Sequence, residues 1–258
     1  MIKLHQVCAG YGEVEKLHGI NLLFEQGKLT IVAGPNGCGK STLLKAIGGL
    51  LPLTHGSIMI GGRHLGEFSP KELAQTMALL PQSRNVPGIT ARRLVLHGRF
   101  PYLGYPRRYR QEDYRVVQRA MEQTGTLHLA NASLENLSGG ERQKVYLAMA
   151  FAQDTPVVLL DEPTTYLDVR HQLEVMALAQ KMTRQGKTVV LVLHDLNLAL
   201  QYADAMVVME NGVVAGTGKP YALVQSGLID RVFGVTAKGY TTEGGEKCFA
   251  FCRQKSMT

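Results

Sequence analysis

Leu29-Thr30-Ile31-Val32-Ala33-Gly34-Pro35-Asn36-Gly37-Cys38-Gly39-Lys40-Ser41 is an apolar run that passes directly into a glycine-rich loop of the form G-x-x-x-x-G-K-[ST]. The run predicts a strand, and Thr42-Leu43-Leu44-Lys45-Ala46-Ile47 predicts a helix opening on the loop. Strand, loop and helix in that order are the context in which such a loop cradles phosphates. The glycines let backbone N–H groups converge on an anion, Lys40 neutralises β and γ oxygens, and the Ser41 hydroxyl ligates Mg²⁺. The helix aims its positive end at the same charge. Residues 34–42 are therefore the candidate nucleotide-binding segment.

Two further apolar runs, Val157-Val158-Leu159-Leu160 and Thr188-Val189-Val190-Leu191-Val192-Leu193, are short and unbroken, as in strands covered on both faces of a parallel sheet. Each ends in polar residues, Asp161-Glu162 and His194-Asp195. Open α/β sheets bind ligands at the carboxyl ends of their strands. Helical spacing of Leu173, Met176, Ala177 and Met182 fills the interval from about Asp168 to Gln185. Ile2 to Cys8 and Ser57 to Ile60 read as strands of an antiparallel flap, and Asn211-Gly212 between Val207-Val208 and Val213-Val214 is a hairpin turn. Residues 86–155 lack uniform strand runs and read as mainly helical. After Pro220, Tyr221, Val224, Leu228 and Val232 mark one last short helix before a strand-like tail.

Asp161 and Glu162 divide the two carboxylate tasks of phosphoryl transfer. Asp161 holds Mg²⁺ through water as the counterpart of Ser41, and Glu162 polarises the attacking water. Leu137-Ser138-Gly139-Gly140-Glu141 then offers a hydroxyl and backbone N–H groups to an anion at the start of a helix over 142–152, with Ser138 equally suited to cap that helix.

With this last motif the chain resembles the ATP-binding cassette family, whose signature is L-S-G-G-Q; Glu141 stands where the terminal Gln is usual. The resemblance spans about residues 2–220 and rests on the joint order of the motifs. It implies a RecA-like phosphate-loop NTPase core of α/β class with an antiparallel β flap and an inserted α-helical subdomain. The core would cover 1–85 and 156–220, the insert 86–155, and the tail 221–258 would complete the domain. The resemblance also implies roles for single residues: Tyr11 stacks on adenine, Gln82 senses Mg²⁺ and the γ-phosphate, His194 touches the γ-phosphate, and Asp168 contacts a partner subunit. Such cassettes work as head-to-tail pairs, in which Lys40 of one subunit and Ser138, Gly139 and Gly140 of the other enclose a single ATP. One copy per chain implies a homodimer.

Within the family, Gly98-Arg99-Phe100-Pro101-Tyr102, Ala152-Gln153-Asp154-Thr155-Pro156, Asp161-Glu162-Pro163-Thr164-Thr165-Tyr166-Leu167-Asp168 and His194-Asp195-Leu196-Asn197-Leu198-Ala199 are similar to ATPase subunits of bacterial importers for iron-siderophore, haem and cobalamin. The resemblance implies two copies of a polytopic membrane permease and an extracytoplasmic binding protein as partners, and a place on the cytoplasmic face of the cell membrane. A soluble cassette, such as an iron-sulfur cluster assembly ATPase, is the alternative.

Composition narrows the classes further. A chain of 258 residues with 45% hydrophobic content can bury a substantial core without disulfides, and its four cysteines, Cys8, Cys38, Cys248 and Cys252, are too scattered for a disulfide framework. Cys248 and Cys252 read as buried small hydrophobes alternating with Phe249 and Phe251. Cys38 reads either as a thiolate favoured by Lys40 and a helix N-terminus or as a small residue that fits the loop. Met-Ile-Lys-Leu-His offers no apolar stretch of signal-peptide length, and the longest apolar run, Val145 to Ala152, is too short to cross a bilayer. The net charge of +7 does not choose among anionic partners. Arginines interleaved with Phe100, Tyr102, Tyr105, Tyr109 and Tyr114 between Arg92 and Arg119 read as a solvated, docking helical face, with no nucleic acid expected.

Overall fold

The computed structural model of the chain describes residues 1–82, 86–165, 167–241, 243 and 247–253. They fall into two compact units, Met1–Glu67 with Thr188–Thr258, and Phe68–Lys187. The first unit opens with β1 (Ile2–Tyr11), β2 (Val14–Phe24), β3 (Leu29–Ala33), α1 (Lys40–Ile47), β4 (Leu53–Ile60) and β5 (Arg63–His64). Strands β2-β1-β4-β5 make an antiparallel sheet, the flap expected from the sequence, with Ile2, Leu4, Ile20, Phe24, Ile58 and Ile60 buried. Strand β2 was not legible because its alternation breaks. Gly19 has φ 60, and the β1–β2 pairing shifts register between Val7 and Ala9, where Ile20 and Leu17 pair with them, so Leu17 and Ile20 are both buried although they fall out of phase.

The second unit contains α2 (Pro70–Thr76), β6 (Met77–Leu80), α3 (Ala91–His97), α4 (Gln111–Gln123), α5 (Gly139–Gln153), β7 (Val157–Asp161) and α6 (Val169–Arg184). Helices α3, α4 and α5 pack through Leu94, Val95, Val117, Met121, Val145 and Ala148, all buried. They lie within the stretch predicted to be helical, 86–155; the unit also takes in α2, the parallel pair β6–β7, and α6. Arg99 ties the helices together. Its Nε donates to Asp113 Oδ1 at 3.1 Å, its Nη1 to the Ala152 carbonyl at 2.9 Å, and its guanidinium lies 3.9 Å from the centre of the Tyr102 ring. Asp113 also accepts the Arg110 N–H at the start of α4.

The chain returns to the first unit with β8 (Thr188–Val192), α7 (Leu196–Tyr202), β9 (Ala205–Glu210), β10 (Val213–Gly218), α8 (Pro220–Gln225), α9 (Leu228–Phe233), β11 (Val235–Thr241) and β12 (Lys247–Arg253). Strand β3 pairs in parallel with β8 and β9, and β9 turns antiparallel into β10 through Asn211-Gly212. Every residue of β3, β7 and β8 is buried, as their unbroken apolar runs require. The single helix expected after Pro220 is instead two, α8 and α9, because Gly227 adopts φ 72 and breaks the helical path. The strand-like tail is an antiparallel pair, β11 and β12, and among its described residues only Phe249 is buried; Cys248 is half-buried and Cys252 exposed, both on the other face of β12 from Phe249. Among the described residues no helix is long and apolar enough to cross a membrane.

The Arg99–Asp113 pair gives the fold a test. Replacing Arg99 with Met strands a carboxylate that is only 9% exposed, so Arg99→Met should lower unfolding stability by about 3 kcal/mol. Arg99→Met with Asp113→Asn should cost clearly less in the same urea titration.

Candidate active site

In the first unit the phosphate loop is set by close backbone approach. A Cβ on Gly34 would lie 2.3 Å from the Met209 carbonyl oxygen and 2.7 Å from Cys38 Sγ, so only glycine fits against β9. Gly39, the N-cap of α1, has φ 105 and no side chain to cap the helix. No side chain of Gly39 competes for the N-terminal end of α1, which follows directly on the loop. Lys40 is buried with its ammonium held in the loop mouth, donating to the carbonyls of Gly34 at 2.8 Å and Pro35 at 3.0 Å. Ser41 and Thr42 follow in the first turn.

The β9–β10 turn supports this loop. Gly212 N–H donates to the Cys38 carbonyl at 3.1 Å, and the Gly212 carbonyl accepts from His18 N–H of β2 at 2.9 Å. Gly212 has φ 80, and a Cβ there would come within 2.5 Å of the His18 ring and the Lys16 carbonyl oxygen. Burial pushes the Cys38 thiol above the ordinary thiol range, with the Lys40 ammonium opposing. Of the two readings of Cys38, this favours the small residue that fits the loop: desolvation of a side chain only 4% exposed outweighs the neighbouring charge.

Tyr11 ends β1 with its ring 46% exposed, and Lys45 Nζ sits 5.4 Å from the ring centre and 3.2 Å from the hydroxyl. His194 is exposed just beyond β8, immediately before Asp195, whose side chain caps α7 by accepting from Asn197 and Leu198 N–H groups.

In the second unit Asp161 closes β7 at 3% exposure and Glu162 follows at 8%, with φ 49. A left-handed glutamate costs of order 1–3 kcal/mol and persists only where its surroundings fix it. Those surroundings are visible. Gln82, after β6, donates its Nε2 to Glu162 Oε2, and Thr165 Oγ1 donates to the same oxygen at 3.2 Å. Gln143 of α5 donates to the Pro163 carbonyl at 2.7 Å and braces the turn. Tyr166, part of the motif quoted above, lies outside the described residues.

Ser138 caps α5 in a reciprocal arrangement. Its Oγ accepts Glu141 N–H at 3.3 Å and donates to Glu141 Oε2 at 2.7 Å, while Ser138 N–H reaches the same carboxylate at 3.0 Å. These hydrogen bonds hold the Glu141 carboxyl below the usual carboxylate range. Gly139 and Gly140 form the first turn of α5. Asp168 caps α6, accepting His171 N–H at 2.9 Å and facing His171 Nδ1 at 2.7 Å. Thr165, Gln143, Lys45 and His171 escaped the sequence reading. The two spacings S-x-x-E at Ser138 and D-x-x-H at Asp168 were the available signals, each placing a partner one helical turn from its cap.

Two outcomes test this geometry. Gly212→Ala should leave the chain folded yet weaken ATP binding by about tenfold, roughly 1.4 kcal/mol, in a titration with a fluorescent nucleotide. Cys38 should react with iodoacetamide more slowly than free cysteine at pH 7, its rate rising only above the ordinary thiol range.

The ABC transporter family pattern matches residues 17–165. The ferric enterobactin transport ATP-binding protein of Escherichia coli (strain K12) is 40% identical over 232 residues, covering 89% of this chain and 86% of that protein. The achromobactin transport ATP-binding protein of Dickeya dadantii (strain 3937) is 41% identical, covering 92% and 89%. The iron(3+)-hydroxamate import ATP-binding protein of Bacillus subtilis (strain 168) is 38% identical, again covering 92% and 89%. Among solved structures, a dimeric bacterial ABC transporter cassette aligns with TM-score 0.74 at 32% identity, covering 85% of this chain and 99% of that one. An ABC transporter in an inward-facing conformation aligns with TM-score 0.85 at 24% identity over 98% of both chains, which bears on the fold. The α/β, RecA-like phosphate-loop fold holds, and the soluble-cassette alternative is not favoured. The chain belongs to the ABC transporter family, as an ATP-binding cassette that hydrolyses ATP to drive transport.

Proposed function

We propose that this chain energises import of an iron-siderophore complex, as a homodimer bound to two copies of a membrane permease on the cytoplasmic face of a bacterial membrane. An extracytoplasmic binding protein would deliver the cargo, and no nucleic acid takes part. The cargo class rests on the relatives, which are transport proteins for ferric enterobactin, achromobactin and iron(3+)-hydroxamate.

One observation carries the catalytic assignment: the buried Glu162, held in left-handed backbone by Gln82 and Thr165. It is the general base, taking the proton of the water that attacks the γ-phosphorus. Residues 34–42 bind the phosphates, with Lys40 exchanging its hydrogen bonds to the Gly34 and Pro35 carbonyls for β and γ oxygens. Tyr11 stacks on adenine with its exposed ring. His194 steadies the γ-phosphate. Ser138, Gly139 and Gly140 of the partner subunit close over the same nucleotide, and Asp168 lies at the seam between subunits.

The residues present suit Mg²⁺. The Ser41 hydroxyl, the Gln82 amide oxygen and the buried carboxylate of Asp161, acting through water, are the hard oxygen donors it prefers. Bound there, Mg²⁺ would neutralise charge on the β and γ oxygens.

The test uses the full chain. Glu162→Gln should reduce ATP hydrolysis by about 10²–10⁴-fold while nucleotide binding persists. Affinity capture of the native chain from membranes should recover a polytopic membrane protein, and cells lacking the chain should lose uptake of a ferric siderophore. Hydrolysis surviving in Glu162→Gln would remove the general base. Capture of soluble partners alone would end the importer reading.

A further inference from the structure

His171, on the first turn of α6, has no part in the functional reading so far, yet it touches both segments that reading places at the subunit seam. On one side it meets Asp168: Oδ1 accepts the His171 backbone N–H at 2.9 Å and stands 2.7 Å from ring Nδ1. On the other side its ring lies across the start of α5. A Cβ built on Gly140 would be 3.2 Å from Cδ2, Cγ and Nδ1 alike, which means the imidazole faces the glycine broadside. One turn further along both helices, Lys144 of α5 pairs with Glu174 of α6. The ring is largely enclosed, with 27% of the side chain exposed, while the Asp168 side chain stays 66% exposed. Asp168 remains open to a partner even though one of its oxygens is engaged.

We propose that His171 is a positioning residue for ATP hydrolysis, joining Asp168 to the Ser138–Gly140 segment so that the two move as one body when the subunits close. This rests on the reading of those segments as seam residues. The physical reason is economy of order. A ring that donates to the Asp168 carboxylate and packs on Gly140 fixes the α6 cap against the first turn of α5, with both ends of the link in short contact. Without it, each segment must be ordered separately at closure, at an entropic cost borne by the closed state. Gly140 fits the same account. The contact is tight for a methyl group, which would push the His171 ring back by a few tenths of an ångström, so glycine there suits the ring contact as well as any approach of phosphate.

Nucleotide affinity resides in the phosphate loop of the other unit, so the proposal predicts a split between kcat and KM. In steady-state ATPase assays, His171→Phe keeps a ring against Gly140 and removes the hydrogen bond to Asp168. Its kcat should fall by about tenfold to a hundredfold with the KM for ATP within about twofold. His171→Asn, whose amide can still donate to Asp168, should recover most of that loss. Gly140→Ala should be impaired, and the double variant Gly140→Ala, His171→Ala should be faster than Gly140→Ala alone because the clash is gone. Urea midpoints confirm that each variant is folded. Wild-type rates in His171→Phe, a fall in kcat that His171→Asn does not recover, or a double variant no faster than Gly140→Ala overturns the proposal while leaving the ATPase reading intact. A wild-type chain that does not hydrolyse ATP removes both.

Discussion

A strand with every residue buried has no place for a charge along its length, and this constraint fixes where the chemistry of this chain stands. In β3, β7 and β8 all residues are buried. With both faces covered, an unpaired ionised group inside such a strand would cost more than the strand contributes. Ionisable side chains therefore enter where the ladder ends: Lys40 in the loop after β3, Asp161 and Glu162 at the end of β7, and His194 after β8. The apolar runs and the acids that follow them are two consequences of one burial pattern.

The ends of such strands are also where strain can be stored, and Glu162 shows how it is held. Its left-handed backbone works against the chain by of order 1–3 kcal/mol. Hydrogen bonds from Gln82 and Thr165 to a charged oxygen are each worth about 1.5–3 kcal/mol, enough to offset it. The carboxylate is thereby fixed in direction before any substrate arrives, which is the condition for a base to act without reorganisation. Gln82 carries a double load, holding Glu162 through one amide atom while its other is the proposed ligand for a cation.

The parts legible from sequence were those in which local pattern and tertiary environment agree. Uniform apolar runs gave β3, β7 and β8, Asn211-Gly212 gave the β9–β10 hairpin, and helical spacing gave α6. The failures have distinct physical causes. A bulge at Gly19 put β2 out of phase. Gly227 split a pattern that ran on smoothly in the sequence into α8 and α9. Cys38 kept two readings because the charges near a thiol are visible in sequence while the burial that opposes them is not. In the candidate site, the residues proposed to bear the chemistry stand in sequence motifs, and the residues that hydrogen-bond to them do not announce themselves. Thr165, Gln143 and His171 act through contacts made only after folding.

Glu141 illustrates the same division at the signature segment. By sequence it is a departure from the usual glutamine; in the structure it completes the cap of α5, taking hydrogen bonds from both the hydroxyl and the N–H of Ser138. A glutamine would offer one acceptor oxygen and no charge. The carboxylate holds the Ser138 hydroxyl more firmly, and those hydrogen bonds are what lower its pKa. A phosphate approaching Ser138 would therefore find the hydroxyl already committed and a negative charge beside it, so binding there would be an exchange of one acceptor for another. The backbone N–H groups of Gly139 and Gly140, which carry no side chain to intervene, then become the cheaper donors. The cap orders the first turn of α5 by itself, and under the proposed pairing of subunits it would resist the anion until closure supplied enough other contacts to displace the carboxylate.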